Sequence, residues 1–310
     1  MVVSLNGFRN TPFAAWQAIV RVISIPWYWQ IQMNDMIAIT TDQRKFFEQN
    51  GFLVVEDALP PDMTERLIVA VDRIDERVRR DLGKGSHDKS EKRNILQEDF
   101  DAFRPLITWA KTAPLVWQIL GPNIHLVTSH AIIVPPSAPG TARTKLVNRF
   151  HRDGGTSPLD LAEPHPRLFI KVAYFLTDLT QPDSGQFQAI PGSHRLIGPP
   201  PMINGSSIPH GAMELRVRPG TAVIFESRTW HGVGPNYSPL TRKSVYFGYG
   251  YRWLRPMDYT TYPREILDRC TPLERQMLGD GSYDLSYYLP REEDVPLRAL
   301  LKASAPESHY

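Results

Sequence analysis

Apolar residues change their spacing along the chain, and the change divides it into two textures. From residue 40 the pattern is helical, with one short apolar run. Thr41 followed by DQRKFFEQN reads as an N-cap and a short helix ending at Asn50-Gly51. Phe52 to Val55 is a continuous apolar run, short enough for a buried strand. Pro60-Pro61-Asp62 opens a second helix, in which Leu67, Val71, Ile74 and Val78 follow spacings of 4, 3 and 4 and form one apolar face. The charges from Asp75 to Asp81 form its solvated side. Residues 83–95 read as a polar loop, and a short helix is expected around 101–119.

After Gly121-Pro122, apolar runs bounded by Pro and Gly take over. Residues 123–134, 144–153 and 167–177 read as strands, the last buried on both faces. QFQAIPGSH, TAVIFES and residues 243–253 continue the extended texture. Seven or eight strands at intervals of roughly 10–20 residues predict a β-sandwich or jelly roll. The fold class is therefore mainly β with flanking helices. A single domain is expected over 37–310: mostly helical in 37–120, a jelly-roll core in 121–255, helical and irregular in 256–310.

Composition narrows the function classes. Of 310 residues, 42% are hydrophobic and 22% charged, so the chain can build a packed core. Net charge is +2, which offers no global attraction to nucleic acid. Cys270 is the only cysteine, so an intrachain disulfide is impossible and a reducing, cytoplasmic compartment is expected. Any metal must be held by His and carboxylates. Residues 1–36 form an N-terminal extension whose apolar stretch is interrupted by Gln17, Arg21 and Pro26. It reads as neither a membrane span nor a signal peptide.

His151-Arg152-Asp153 carries the first chemical signal. On a strand, residues i and i+2 share a face, so both side chains can reach one metal. Nine His and 33 carboxylates give about one His-x-Asp/Glu by chance, so the triplet alone is weak. His231 adds a second imidazole just after the TAVIFES strand, and Arg242 follows eleven residues later where the next strand begins. Two His and one carboxylate form the facial triad of non-haem Fe(II) oxygenases, which leaves coordination positions open. A guanidinium fork at Arg242 matches the far carboxylate of a 2-oxo diacid.

The chain resembles the phytanoyl-CoA dioxygenase family of Fe(II)/2-oxoglutarate-dependent oxygenases. The resemblance rests on FFEQNGFLVVEDALP, the HRD triplet, AYFLTDLTQPDSGQFQAIPGSHR, RPGTAVIFESRTWHGVGPNYS and Arg242, spanning residues 43 to 255. It implies a double-stranded β-helix (a cupin-like jelly roll). It implies His151, Asp153 and His231 as iron ligands and Arg242 as the 2-oxoglutarate anchor, with O2 consumed and succinate and CO2 released. The expected reaction is hydroxylation of a C–H bond in a small organic metabolite; desaturation or cyclisation is the alternative within the family. Related halogenases resemble this pattern but replace the carboxylate with a small residue, so Asp153 favours oxidation. A reading from a different class keeps the same three ligands for Zn(II) or another metal, in a jelly-roll hydrolase, isomerase or binder. It has no use for Arg242.

Other residues receive plainer readings. Asn148, Lys171 and Ser238 are candidate 2-oxoglutarate contacts, with a structural role favoured for Asn148 and Lys171. His194 in PGSH is expected to order the loop over the site or touch substrate. His125 and His130, five apart, are expected on opposite strand faces, with His130 a candidate barrel-lining residue. Trp230, Tyr246, Tyr249 and Tyr251 are expected to pack, with one of the three tyrosines a candidate for lining the pocket. His87, His165, His210 and His309 are expected to be exposed, and Cys270 receives no role. No stable membrane insertion is expected, and the sequence is silent on oligomeric state.

Overall fold

A computed structural model describes residues 37–141, 150–153, 163–204, 208–281 and 285–304. The first described helix, α1 (Thr41–Asn50), is capped by Thr40 and Gln43 in a reciprocal capping box, one residue before the expected cap. It stops at Gly51, whose φ is +80°. A Cβ on Gly51 would lie 2.4 Å from Thr229 Oγ1 and 2.6 Å from His194 Nδ1, so only glycine lets the chain pass here. Strand β1 (Phe52–Val55) follows, then α2 (Pro61–Leu82), which buries Leu67, Val71, Ile74 and Val78 along one face as its periodicity predicts.

The expected polar loop at 83–95 contains a strand, β2 (Ser90–Arg93), and then a single helical turn, α3 (Ile95–Glu98). The strand has no apolar alternation because it is an edge strand held by backbone pairing to its neighbour. The helix expected around 101–119 is broken. It divides into α4 (Phe100–Phe103), a 3-10 segment Arg104–Thr108 and α5 (Ala113–Leu120), with prolines at the starts of the latter two.

Seven more strands follow: β3 (Ile124–Val134), β4 (Phe169–Phe175), β5 (Phe187–Ala189), β6 (Met213–Leu215), β7 (Ala222–Glu226), β8 (His231–Val233) and β9 (Arg242–Tyr251). They form two antiparallel sheets, ordered β1-β7-β4-β9-β3-β2 and β6-β5-β8. The strand expected at 144–153 lies outside the described residues except at its end, where His151 pairs with His231 in an isolated bridge. QFQAIPGSH is extended only at β5; after it the chain turns into a 3-10 segment at Ser193–Arg195. The tail carries short helices α6 (Arg264–Leu267), α7 (Pro272–Met277) and α8 (Pro296–Ser304).

Alternation assigns each strand residue to one of two cores. Ile170, Val172, Tyr174, Ile224, Val245 and Phe247 point outward and join the large cluster under the helices. Ala173, Phe175, Val223, Phe225 and Tyr246 point inward, between the sheets, where Phe187 and Leu215 of the small sheet meet them. This is the antiparallel jelly-roll architecture with helices packed on one outer face. Among the described residues, no helix is long and apolar enough to cross a membrane.

Candidate active site

The site lies between the sheets, where His151, Asp153 and His231 converge. One ligand atom from each lies within 4.8 Å of the others, a spacing that can hold a metal ion. Backbone pairing sets this geometry. The amides of His151 and His231 each donate to the other's carbonyl at 2.9 Å, and Asp153 N donates to Ser227 O at 2.8 Å. The PGSH turn fixes the other side: Trp230 N donates to Ser193 Oγ at 2.8 Å, and Ile190 N to Trp230 O at 3.0 Å. Thr229 O accepts from His231 Nδ1 at 2.8 Å. That bond places the proton on Nδ1 and leaves the Nε2 lone pair for a metal.

Electrostatics suit a cation. Lys171 Nζ donates to Asp153 Oδ1 at 2.6 Å, while Oδ2 is buried without a partner. Burial opposes ionisation of Asp153, yet the Lys171 ammonium beside it holds the carboxyl below its ordinary range. Burial pushes the His231 imidazole down to about 4, so it is neutral at pH 7. The neutral His231 imidazole, the His151 imidazole and one carboxylate form a donor set suited to a divalent transition metal with open positions. The orphaned Oδ2 is the atom such an ion would satisfy.

Arg242 opens β9 and is 1% exposed. One terminal nitrogen donates to Tyr246 Oη at 2.8 Å, while Nε and Nη1 are buried without partners. A buried guanidinium with free donors is a seat for a carboxylate. Gly185 makes room for it: its φ is +76°, and a Cβ there would lie 3.1 Å from Arg242 Cδ. Tyr246 stacks on His130 with centroids 4.7 Å apart, linking the arginine to the cavity wall. The cavity measures about 130 Å³ and includes the triad, Lys171, Phe187, Phe225 and Tyr246 in its lining.

The other expected residues fall as follows. Asn148 and His309 lie outside the described residues. Ser238 Oγ donates to Asn236 Oδ1 at 2.7 Å and to Leu240 O at 3.2 Å, inside the turn before β9. His194 is buried against α1, Nε2 3.2 Å from Glu48 O, ordering the PGSH turn. Trp230 packs under Arg152, and Tyr249 donates to Leu106 O and Ile107 O at 3.0 Å in the outer core. Tyr251 stacks on Trp253. His87 and His210 are exposed. His165 is buried, contrary to expectation, because Arg228 grips its carbonyl and Glu163 lies 3.5 Å from its ring. Cys270 is half-buried, Sγ 3.2 Å from Ile266 O, and burial pushes its thiol up to about 12.

His125 and His130 share a face, contrary to expectation. They pair with Gly250 and Tyr246, four residues apart on β9, because a β-bulge between Leu126 and Thr128 inserts one residue and resets the parity. The sequence reading also missed Lys89, Glu91 and Arg93, which line the cavity from the β2 edge. Their signal was the spacing of two within a charged segment, which shares a face only on a strand.

Comparison with known proteins places the chain in a family. A family model for phytanoyl-CoA dioxygenase matches residues 47–244. Dioxygenase cdmD of Talaromyces verruculosus is 33% identical over 135 residues, 42% of this chain and 43% of that protein, so the chain aligns with under half of that relative. Dioxygenase trt7 of Aspergillus terreus is 25% identical over 252 residues, 76% of this chain and 82% of that one. HygX from Streptomyces hygroscopicus, solved with nickel and 2-oxoglutarate bound, shares the fold with a TM-score of 0.57 at 18% identity, over 71% of this chain and 90% of that one. The chain belongs to the phytanoyl-CoA dioxygenase family of non-haem iron- and 2-oxoglutarate-dependent dioxygenases.

Proposed function

We propose that the chain hydroxylates a C–H bond of a small organic metabolite, converting 2-oxoglutarate and O2 to succinate and CO2. The observation that carries the reading is the pairing of two incomplete groups. The His151–Asp153–His231 cluster has an orphaned carboxylate oxygen, and Arg242 has two orphaned donors. His151, Asp153 and His231 would hold Fe(II), which supplies O2 activation when bound. Arg242 holds the far carboxylate of 2-oxoglutarate, and Tyr246 fixes the plane of its guanidinium. Lys171 keeps Asp153 ionised and oriented. The inward aromatics Phe187 and Phe225 exclude water beside the ligands, which favours an apolar reacting carbon. A small-molecule substrate is in keeping with HygX, which has been solved with hygromycin B bound. The single cysteine suits a cytoplasmic setting.

An anaerobic titration tests the reading. Apo-protein given Fe(II) and then 2-oxoglutarate develops the visible charge-transfer band of the chelate, and Arg242→Ala loses it at matched concentrations. Iron binding without the band in the unaltered protein removes 2-oxoglutarate and leaves a metal protein of another class.

A further inference from the structure

We infer that His130 is the residue that recognises the organic substrate, accepting a hydrogen bond through Nε2 from a hydroxyl or N–H group on it. The inference rests on the proposed oxygenase reading, because it places the substrate in the same cavity. His130 lines that cavity and is 3% exposed. Its ring lies flat on Tyr246, with an interplanar angle of 2°, so its edge direction is fixed. Nδ1 lies 3.2 Å from Thr128 Oγ1. Among the described residues, Nε2 has no hydrogen-bond partner.

The hydrogen-bond chain behind the ring sets the tautomer. Thr128 Oγ1 donates to Asp258 Oδ2 at 2.7 Å. Asp258 Oδ2 also collects the amides of Ser129 at 2.9 Å and Asn94 at 3.2 Å, which anchors it as the acceptor of the group. With its proton directed to Asp258, the Thr128 oxygen can only accept from His130 Nδ1–H. Nε2 is then a bare lone pair facing the cavity. Burial, with Lys171 and Arg93 nearby, holds the imidazole well below its ordinary value, which keeps it neutral.

A bare nitrogen repels the carboxylates of 2-oxoglutarate and welcomes a donor. The remaining wall combines the apolar side chains Ile132, Phe187, Phe225 and Val233 with the charged Lys89, Glu91, Arg93 and Lys171. Glu91, the other acceptor on β2, is engaged by Arg93 at 2.8 Å and Lys89 at 3.6 Å. One acceptor in such a wall selects strongly, because a substrate without a donor would leave the nitrogen desolvated and unmatched. Thr128 and Asp258 act through His130 as positioning residues.

The test uses isotope-labelled protein loaded with Zn(II) and 2-oxoglutarate, read by long-range proton–nitrogen NMR. Wild type and Thr128→Ser show the proton on His130 Nδ1, whereas Thr128→Val populates the Nε2–H form. A proton on Nε2 in wild type overturns the inference. The binding probes are cyclohexanol and methoxycyclohexane. Cyclohexanol shifts the Nε2 signal and the ether does not. Its binding weakens roughly tenfold in Thr128→Val and recovers in Thr128→Ser. Equal shifts from both probes, or none from the alcohol, overturn the recognition role. Neither readout needs iron or turnover, so failure of the oxygenase reading appears separately, in the charge-transfer titration.

Discussion

The two faces of the six-stranded sheet are built from the same strands and do opposite work. On β4, Ile170, Val172 and Tyr174 enter the outer core, while Lys171 between them turns inward to hold Asp153. On β9, Val245, Phe247 and Tyr249 face the helices, while Arg242 and Tyr246 turn inward and are hydrogen-bonded to each other. The outer face is apolar and carries stability; the inner face carries buried charge that the fold tolerates only in pairs or beside an expected ligand. On this sheet the polar inward residues thus alternate with those that build the outer core, while His151 and Asp153 reach the site from a segment outside the named strands.

Five substitutions and one pH series would break or sharpen that contrast. Asp153→Ala is expected to abolish turnover and metal retention while leaving the thermal midpoint of the apo-protein within a few degrees; retained activity would remove the residue from the metal site. Phe247→Ala, on the opposite face, is expected to lose about 3–5 kcal/mol of stability. Denaturant unfolding measures it, and an active folded fraction with normal metal affinity is the expected counterpart. Arg242→Gln should weaken 2-oxoglutarate roughly 10–100-fold with iron still bound. An unchanged KM for 2-oxoglutarate would break its assignment. Lys171→Met should weaken metal about 10–100-fold, as loss of a ligand's hydrogen-bonding partner does. Isothermal titration with a divalent metal gives the number.

The smallest effect concerns pH. His125 and His231 are each pushed down to about 4 by burial, and His130 well below its ordinary value. Between the unfolded value near 6.5 and about 4, the unfolded chain binds protons that the folded one refuses. Apo-protein stability should therefore fall on acidification through that window, by at most about 1.4 kcal/mol per pH unit for each histidine. His125→Phe, away from the ligands, should flatten the slope by one histidine's share. Thermal midpoints from pH 7 to pH 5 decide it.

What was legible in the sequence follows from the same division of faces. Apolar runs announced β1, β3, β4, β7 and β9, because both of their faces are buried. β2 was invisible, since SEKR has no hydrophobic face; only its pairing to β3 makes it a strand. The triad and Arg242 were legible because residue type and spacing narrow the chemistry together. The partners that orient them were less so. Lys171 sits in an apolar run and meets Asp153 only in three dimensions. The shared face of His125 and His130 depends on a one-residue bulge, which no two-residue periodicity can report. The Thr128–Asp258 contact joins residues 130 apart in sequence.

The bridge between His151 and His231 has a consequence for how such a protein diverges. Two reciprocal amide bonds tie the first ligand segment directly to the third ligand. The distance between the two imidazoles is thus set by a clasp of two residues. A substitution elsewhere that leaves these two amides paired therefore leaves the backbone spacing of the two histidines in place.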